Sequence, residues 1–220
     1  MLREVKPKKI RLGAMFNGDK ESICALHIAT AFDWDIACLM TIQNTSDVNN
    51  ITQYQAQAMK LPLIIEQSSG ESLADMYEAI KKAKEQYQIT GIIAAGSYET
   101  LNKICKELQI RMFAPLWKKD QTQLLKEMIE YGMEIQVCEV TAESLGEQWL
   151  GRKIDMKAYN ELVQLQYKIG FNPAGESGEY KSIVLYCPHL FQKKLIVKKA
   201  EKHMESECKG RYTIQEVAVA

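Results

Sequence analysis

The sequence predicts an α/β protein: a doubly wound parallel sheet followed by a second, smaller α+β domain at the carboxyl end. Three observations carry this. Strand and helix signals alternate through the first half, which is how a parallel sheet with crossover helices reads. The stretch GIIAA, Gly91–Ala95, is short and apolar throughout, as a strand covered on both faces should be. Beyond Pro115 the strand signals gather toward the carboxyl end instead of alternating with helices.

Ile10–Phe16 reads as the first strand, Ser22–Phe32 as a helix and Ile36–Ile42 as the second strand. A helix around Thr52–Lys60 and a strand at Leu63–Glu66 follow. The helix beginning at Ser72 has Leu73, Met76, Tyr77, Ile80, Ala83 and Tyr87 at the spacing of a one-sided core face. Ser72 and Asp75 predict a capping box at its start. In the second half, Asp120 suits the cap of a helix carrying Leu124, Leu125, Met128 and Ile129, with Gly132 as its stop. A strand at Ile135–Val140, a helix over Met156–Ile169 and strands near Ser182–Tyr186, Leu195–Lys199 and Tyr212–Val219 complete the reading. Lys193–Arg211 leans basic, but Glu201, Glu205 and Glu207 interrupt it, so it reads as a solvated hairpin or linker.

Composition narrows the function. The 220 residues are 46% hydrophobic and 25% charged, with 28 basic and 28 acidic side chains, as in a globular protein without a basic excess for nucleic acid. The six cysteines form no C-x-x-C pair, so they signal neither zinc nor a dithiol; Cys24, Cys38 and Cys138 read as buried thiols. With no apolar leader and no membrane-length apolar run, the expected location is the cytoplasm, with no membrane partner. His27 lies in an apolar helix and His189 follows Pro188, so neither recommends itself as a catalyst.

Ligands of doubly wound sheets bind at the carboxyl ends of the strands, and the loop after the first strand is MFNGDKES, Met15–Ser22. A polar turn with Gly18 and Lys20 before a helix suits a phosphate. Asp19 and Glu21 oppose one, since a carboxylate about 4 Å from a phosphate repels it by roughly 4 kcal/mol at an effective dielectric near 20. Mg²⁺ between them reverses that sign, which makes Asp19 and Glu21 candidate metal ligands. The alternative is a strand-to-helix turn without a ligand.

Three stretches together resemble the diphthine–ammonia ligase family of ATP-binding PP-loop proteins. PLWKKDQTQLLKEMIEYGMEIQVCEVTAESLGEQWLGRKID, Pro115–Asp155, follows the family pattern nearly throughout, and FNPAGESGEYKSIVLYCP, Phe171–Pro188, resembles its N-P-x-G-E-x-G-E-Y signature. The octapeptide stands where the family has F-S-G-G-K-D-S; Gly18, Lys20 and Ser22 match, while Asn17, Asp19 and Glu21 depart. Gly96–Leu108 is shorter than its family counterpart, with Ser97 and Tyr98 as an echo, and the segment QNTSDVNN, Gln43–Asn50, is also shortened and lacks the family's histidine.

The resemblance implies a Rossmann-like (HUP-type) fold, with residues 1–114 as the ATP-binding domain and 115–220 as the substrate domain. It implies an ATP-dependent ligase that adenylates the diphthine carboxylate of elongation factor 2 and lets ammonia displace AMP to give diphthamide. Asn17, Gly18, Asp19, Lys20, Glu21 and Ser22 would hold ATP and Mg²⁺. Glu176 and Glu179 would bind ammonium, coordinate Mg²⁺ or act as the base that deprotonates ammonium, the alternative being a solvated Gly–Glu turn. Gly175, Gly178 and Tyr180 would shape the substrate end. Trp117 and Trp149 either line the substrate cleft or pack in the core. Arg152 either meets phosphate or pairs with Asp155, and one-turn spacing favours the pair. The alternative to a ligase is a non-catalytic or repurposed paralogue that binds a nucleotide or a protein partner. The oligomeric state is left open, a homo-oligomer included.

Overall fold

The structure, a computed structural model, describes residues 10–44, 51–96 and 98–220. Ser97 and residues 45–50, on which part of the comparison with the family rests, lie outside the described residues.

Strands β1 (Arg11–Met15), β2 (Asp35–Gln43), β3 (Leu63–Gln67), β4 (Gly91–Ile93) and β5 (Arg111–Phe113) alternate with helices α1 (Lys20–Ala31), α2 (Ile51–Met59), α3 (Ser72–Tyr87) and α4 (Tyr98–Glu107). All strand pairs are parallel, in the order β3-β2-β1-β4-β5. The sheet grows outward from β1 in one direction and then, through β4, in the other. That is the doubly wound topology, with its switch point between β1 and β4. The sequence reading assigns neither α4 nor β5. β5 has only three residues and no alternation to detect.

After α5 (Gln121–Glu130) come β6 (Glu134–Val140), α6 (Met156–Ile169), β7 (Tyr180–Tyr186), β8 (Leu195–Met204) and β9 (Gly210–Val219). These four strands form an antiparallel sheet in the order β7-β6-β9-β8. Lys193–Arg211 is the hairpin expected of it, although β8 runs on to Met204 rather than ending at Lys199.

Helix α1 explains how the sheets meet. Its sequence KESICALHIATA is apolar over more than one stripe, and it buries Ile23, Cys24, Ala25, Leu26 and Ala29. A helix apolar on several faces must be covered on several sides. Here β1, β2 and β4 lie against α1 on one side and β7 on another. One apolar cluster therefore runs from Leu12 and Leu39 through Ile23 and Leu26 to Ile135, Val184 and Leu162. The other face of the parallel sheet is closed by α3 and α4 through Ile80, Ala83, Ile92 and Ile104.

The helix starts follow local chemistry, with one correction. The Asp120 and Asp155 carboxylates accept from Gln123 N and Ala158 N, capping α5 and α6. The capping box at Ser72 does not form. Asp75 turns back to accept from the Ser69 amide and the Ser68 and Ser69 hydroxyls, which fixes the preceding turn. Leu73, expected in the core, is 58% exposed because it sits in this first turn, outside the packed stripe.

A buried polar side chain locks the halves together. Gln55 of α2 is fully buried, and its Nε2 donates to the carbonyls of Gly18 at 2.9 Å and Val184 at 2.8 Å. Val184 N donates to the same Gly18 carbonyl at 3.2 Å. A side chain at Gly18 would collide with Gln55 Oε1, and its φ of +80° is left-handed, so only glycine fits. Gln55→Met keeps the volume but leaves the Val184 carbonyl without its donor. We expect it to lower stability by about 1–3 kcal/mol, read as a lower urea midpoint at unchanged slope.

Candidate functional site

The loop between β1 and α1 takes its shape from two residues. Gly18 supplies the left-handed turn, while Asp19 is extended (φ −77°, ψ 174°) and serves as the N-cap of α1. The Asp19 carboxylate accepts from Ser22 N at 2.7 Å and from Asn17 Nδ2 at 2.6 Å. An aspartate at this position is therefore under no backbone strain, because the glycine-only conformation falls one residue earlier. Asp19 also places a carboxylate on the helix terminus where an outside anion would bind.

Beside this loop, a cavity of about 310 Å³ opens at the carboxyl ends of β1, β2 and β4, at the switch point of the sheet. Met40, Ile42, Met76 and Leu101 form an apolar wall, and Asn17, Asp19, Glu21, Ser22 and Glu176 form a polar rim. Among the described residues, three carboxylates line it and no lysine or arginine does.

Lys20, the basic residue of the loop, points elsewhere. It is 3% exposed and lines a second cavity of about 40 Å³. Its Nζ lies 2.5 Å from Glu21 Oε1, 3.9 Å from Glu176 Oε1 and 5.3 Å from the centre of the Tyr180 ring. Burial disfavours its charge, but its acidic neighbours outweigh burial and hold its pKa above the ordinary lysine value. Tyr180, pushed above the ordinary phenol range by burial, is neutral near pH 7, so the two glutamates supply that field. Burial, followed by a hydrogen bond to Glu176, raises Glu21 to about 7 against the pull of Lys20. Burial and then Glu21 also raise Asp19, offset in part by the Ser22 amide.

The carboxyl-terminal signature follows α6, which ends at left-handed Gly170. Gly175, at φ +75°, lies so close to Tyr180 that a Cβ there would be 2.8 Å from the ring. The Tyr180 hydroxyl donates to the Pro173 carbonyl at 2.8 Å, closing the loop over itself. This closure separates the two glutamates. Glu176 reaches the rim of both cavities, whereas Glu179 turns inward and accepts from Asn172 N at 3.1 Å and Ser177 N at 3.0 Å. The carbonyl of Gly178 accepts from the Thr141 hydroxyl, tying the signature to the end of β6.

The other candidates lie apart from the large cavity. Trp117 is 54% exposed and stacks on Tyr98 at 4.3 Å, with Lys118 over its ring. Trp149 is buried and carries the Arg152 guanidinium 4.2 Å above it. Arg152 pairs with Glu161, at 2.6 and 2.8 Å, rather than with Asp155. Arg152 precedes α6, where one-turn geometry does not apply, and Asp155 is committed to its cap. Burial pushes the Cys24, Cys38, Cys138 and Cys187 thiols up to about 12, so none is a ready nucleophile, although Cys138 is only partly buried as a residue. The sequence reading missed Met40, Thr41, Met76, Ala95 and Leu101. Thr41 and Ala95 could have been found as residues at or just beyond the carboxyl ends of β2 and β4.

Fold and cavity define a class first: a Rossmann-like α/β protein with a cavity at the switch point of its parallel sheet. Comparison with known proteins then gives the family. Residues 120–219 match the model of the diphthamide synthase C-terminal domain. The chain is 30% identical to the diphthine–ammonia ligase of Homo sapiens over 228 aligned residues, covering 87% of this chain and 84% of that protein. It is 34% identical to that of Danio rerio over 173, covering 69% and 67%. The chain belongs to the diphthine–ammonia ligase family.

The raised Glu21 carboxyl predicts a pH effect. Its folded pKa of about 7 exceeds the ordinary 4.5, so its stabilisation is complete below about pH 4.5 and is lost as pH rises through 7. Chemical denaturation between pH 5 and 8 should show this decline, and Glu21→Gln should flatten it by roughly 1–3 kcal/mol at the alkaline end.

Proposed function

We propose that this chain is an ATP-dependent amide-forming ligase. It adenylates the carboxylate of diphthine on elongation factor 2 and transfers ammonia to give diphthamide. The observation that carries the reading is the entry of Glu176, from the carboxyl-terminal signature, into the cavity at the switch point of the sheet. Residues 1–114 serve as the ATP-binding domain and 115–220 as the substrate domain, and α1 lies between their sheets.

ATP is a substrate here. The apolar wall of Met40, Ile42 and Met76 suits its base, and Asn17 and Ser22 on the polar rim suit its phosphates, with Gly18 shaping the turn between them. A carboxylate oxygen of diphthine attacks the α-phosphorus, and pyrophosphate leaves. The ammonia lone pair then forms the C–N bond as the C–O bond to AMP breaks, the electron pair leaves with AMP, and the spare proton passes to Glu176. Excluding water from the cavity protects the activated carbonyl. Glu179 and Tyr180 keep Glu176 in place rather than touching the substrate.

The residues do not form a cage for Mg²⁺. Asp19 is engaged by Ser22 and Asn17, and Glu21 by Lys20. Among the described residues there is no group of three or more side chains suited to a metal. A divalent ion would come with the polyphosphate.

A second reading, a repurposed paralogue with a weakened nucleotide loop, is favoured by the Asp19 cap and by the acidic side chains Asp19, Glu21 and Glu176 that line the large cavity. Two measurements separate the readings. With ATP, Mg²⁺, ammonium and diphthine-bearing elongation factor, the ligase gives AMP and the amide. The absence of both, beside an active relative, would overturn it. Calorimetry should show micromolar, Mg²⁺-dependent ATP binding, which the second reading does not expect. Asp19→Gly should tighten ATP binding in EDTA at least tenfold, about 1.4 kcal/mol. With saturating Mg²⁺ the gain should shrink. Equal gains in both buffers would mean that Asp19 does not meet the phosphates.

A further inference from the structure

We propose that the small cavity beside Lys20 binds the nitrogen nucleophile, as ammonia or ammonium, and excludes larger amines. The proposal rests on the ligase reading for its chemistry, but the pocket stands on its own geometry. Its volume is about 40 Å³, an eighth of that of the large cavity. Roughly 10–15 Å³ holds one water-sized molecule. Ammonia fits there with room for about two waters beside it, whereas a nucleoside or a long alkylamine is too large.

Position and lining fit the same ligand. Glu21, Ala95 and Glu176 line both cavities, so they form the partition between them. The lesser cavity therefore adjoins the larger one at Glu176, the carboxylate placed at the reacting end. The remaining wall comes mainly from α5, with Leu124, Leu125 and Met128 as its apolar face and Gln121 at its polar end. A lone polar molecule needs two to four hydrogen-bond partners, and Glu21, Glu176 and Gln121 are the polar acceptors among the lining residues, Gln121 also accepting from Asn172. The Lys20 Nζ lies 2.5 Å from Glu21 and 3.9 Å from Glu176, so the lining turns two acidic side chains toward one ammonium. The Lys20 ammonium, seated between these glutamates and over the Tyr180 ring, shows that the lining accepts a cationic N–H donor.

The pocket is tested first without turnover. Leu124 and Leu125 methyl resonances should shift and saturate on titration with ammonium chloride but not with n-propylammonium chloride at equal ionic strength. No shift with ammonium, or the same shift with both ions, overturns the proposal. Turnover supplies the second test. Leu124→Phe should raise the ammonium KM at least tenfold while diphthine-dependent ATP–pyrophosphate exchange, which needs no nucleophile, stays unchanged. Leu124→Ala should gain N-propylamide formation at least tenfold over the unaltered protein, and it answers the question if the Phe variant does not fold. An unaltered ammonium KM in Leu124→Phe, with no propylamide from Leu124→Ala, overturns the proposal. Failure of exchange in the unaltered protein would overturn the ligase reading alone, and the methyl titration would still decide the pocket.

Discussion

The carbonyl oxygen of Gly18 receives two N–H groups, one from Gln55 on α2 and one from Val184 on β7. Much of the site depends on that double acceptance. It joins the first loop of the parallel sheet to a strand of the antiparallel sheet, and β7 is the strand into which the signature loop runs. Shifting Gly18 would therefore shift Asp19 and Glu176 relative to each other. The connection is polar and buried, so it sets one geometry more strictly than apolar packing would.

Around that joint the acidic residues have been given different tasks. Asp19 caps a helix, Glu179 braces a turn by accepting two backbone amides, and Glu21 and Glu176 surround a buried lysine. Only the last two reach both cavities. Four carboxylates in so small a region would repel one another strongly if left alone in low dielectric. Backbone amides, one lysine and a raised carboxyl pKa divide that load.

The sequence showed the fold more readily than the site. Alternating apolar strands and one-sided helices follow from burial, and they left their period in the chain from Ile10 to Ala95. β5 was hidden because three residues carry no period, whereas α4 did carry one, in Leu101, Ile104 and Cys105. The direction of Lys20 was not legible at all. At the start of α1 its side chain could point either way, and Tyr180 and Glu176, remote in sequence, decide it. Arg152 shows the same limit, since its partner Glu161 lies beyond the turn that spacing can address. Asp19 could be read as unusual from its charge, but its role as a cap required the backbone.

That cap has a kinetic side. An anion that settles on the first turn of α1 must evict a carboxylate that is covalently leashed beside it and returns as soon as the place is free. The visitor gains only the difference between its own contacts and those of the resident. Such a terminus keeps its helix wound whether or not a visitor is present, and it favours brief occupancy over long tenure.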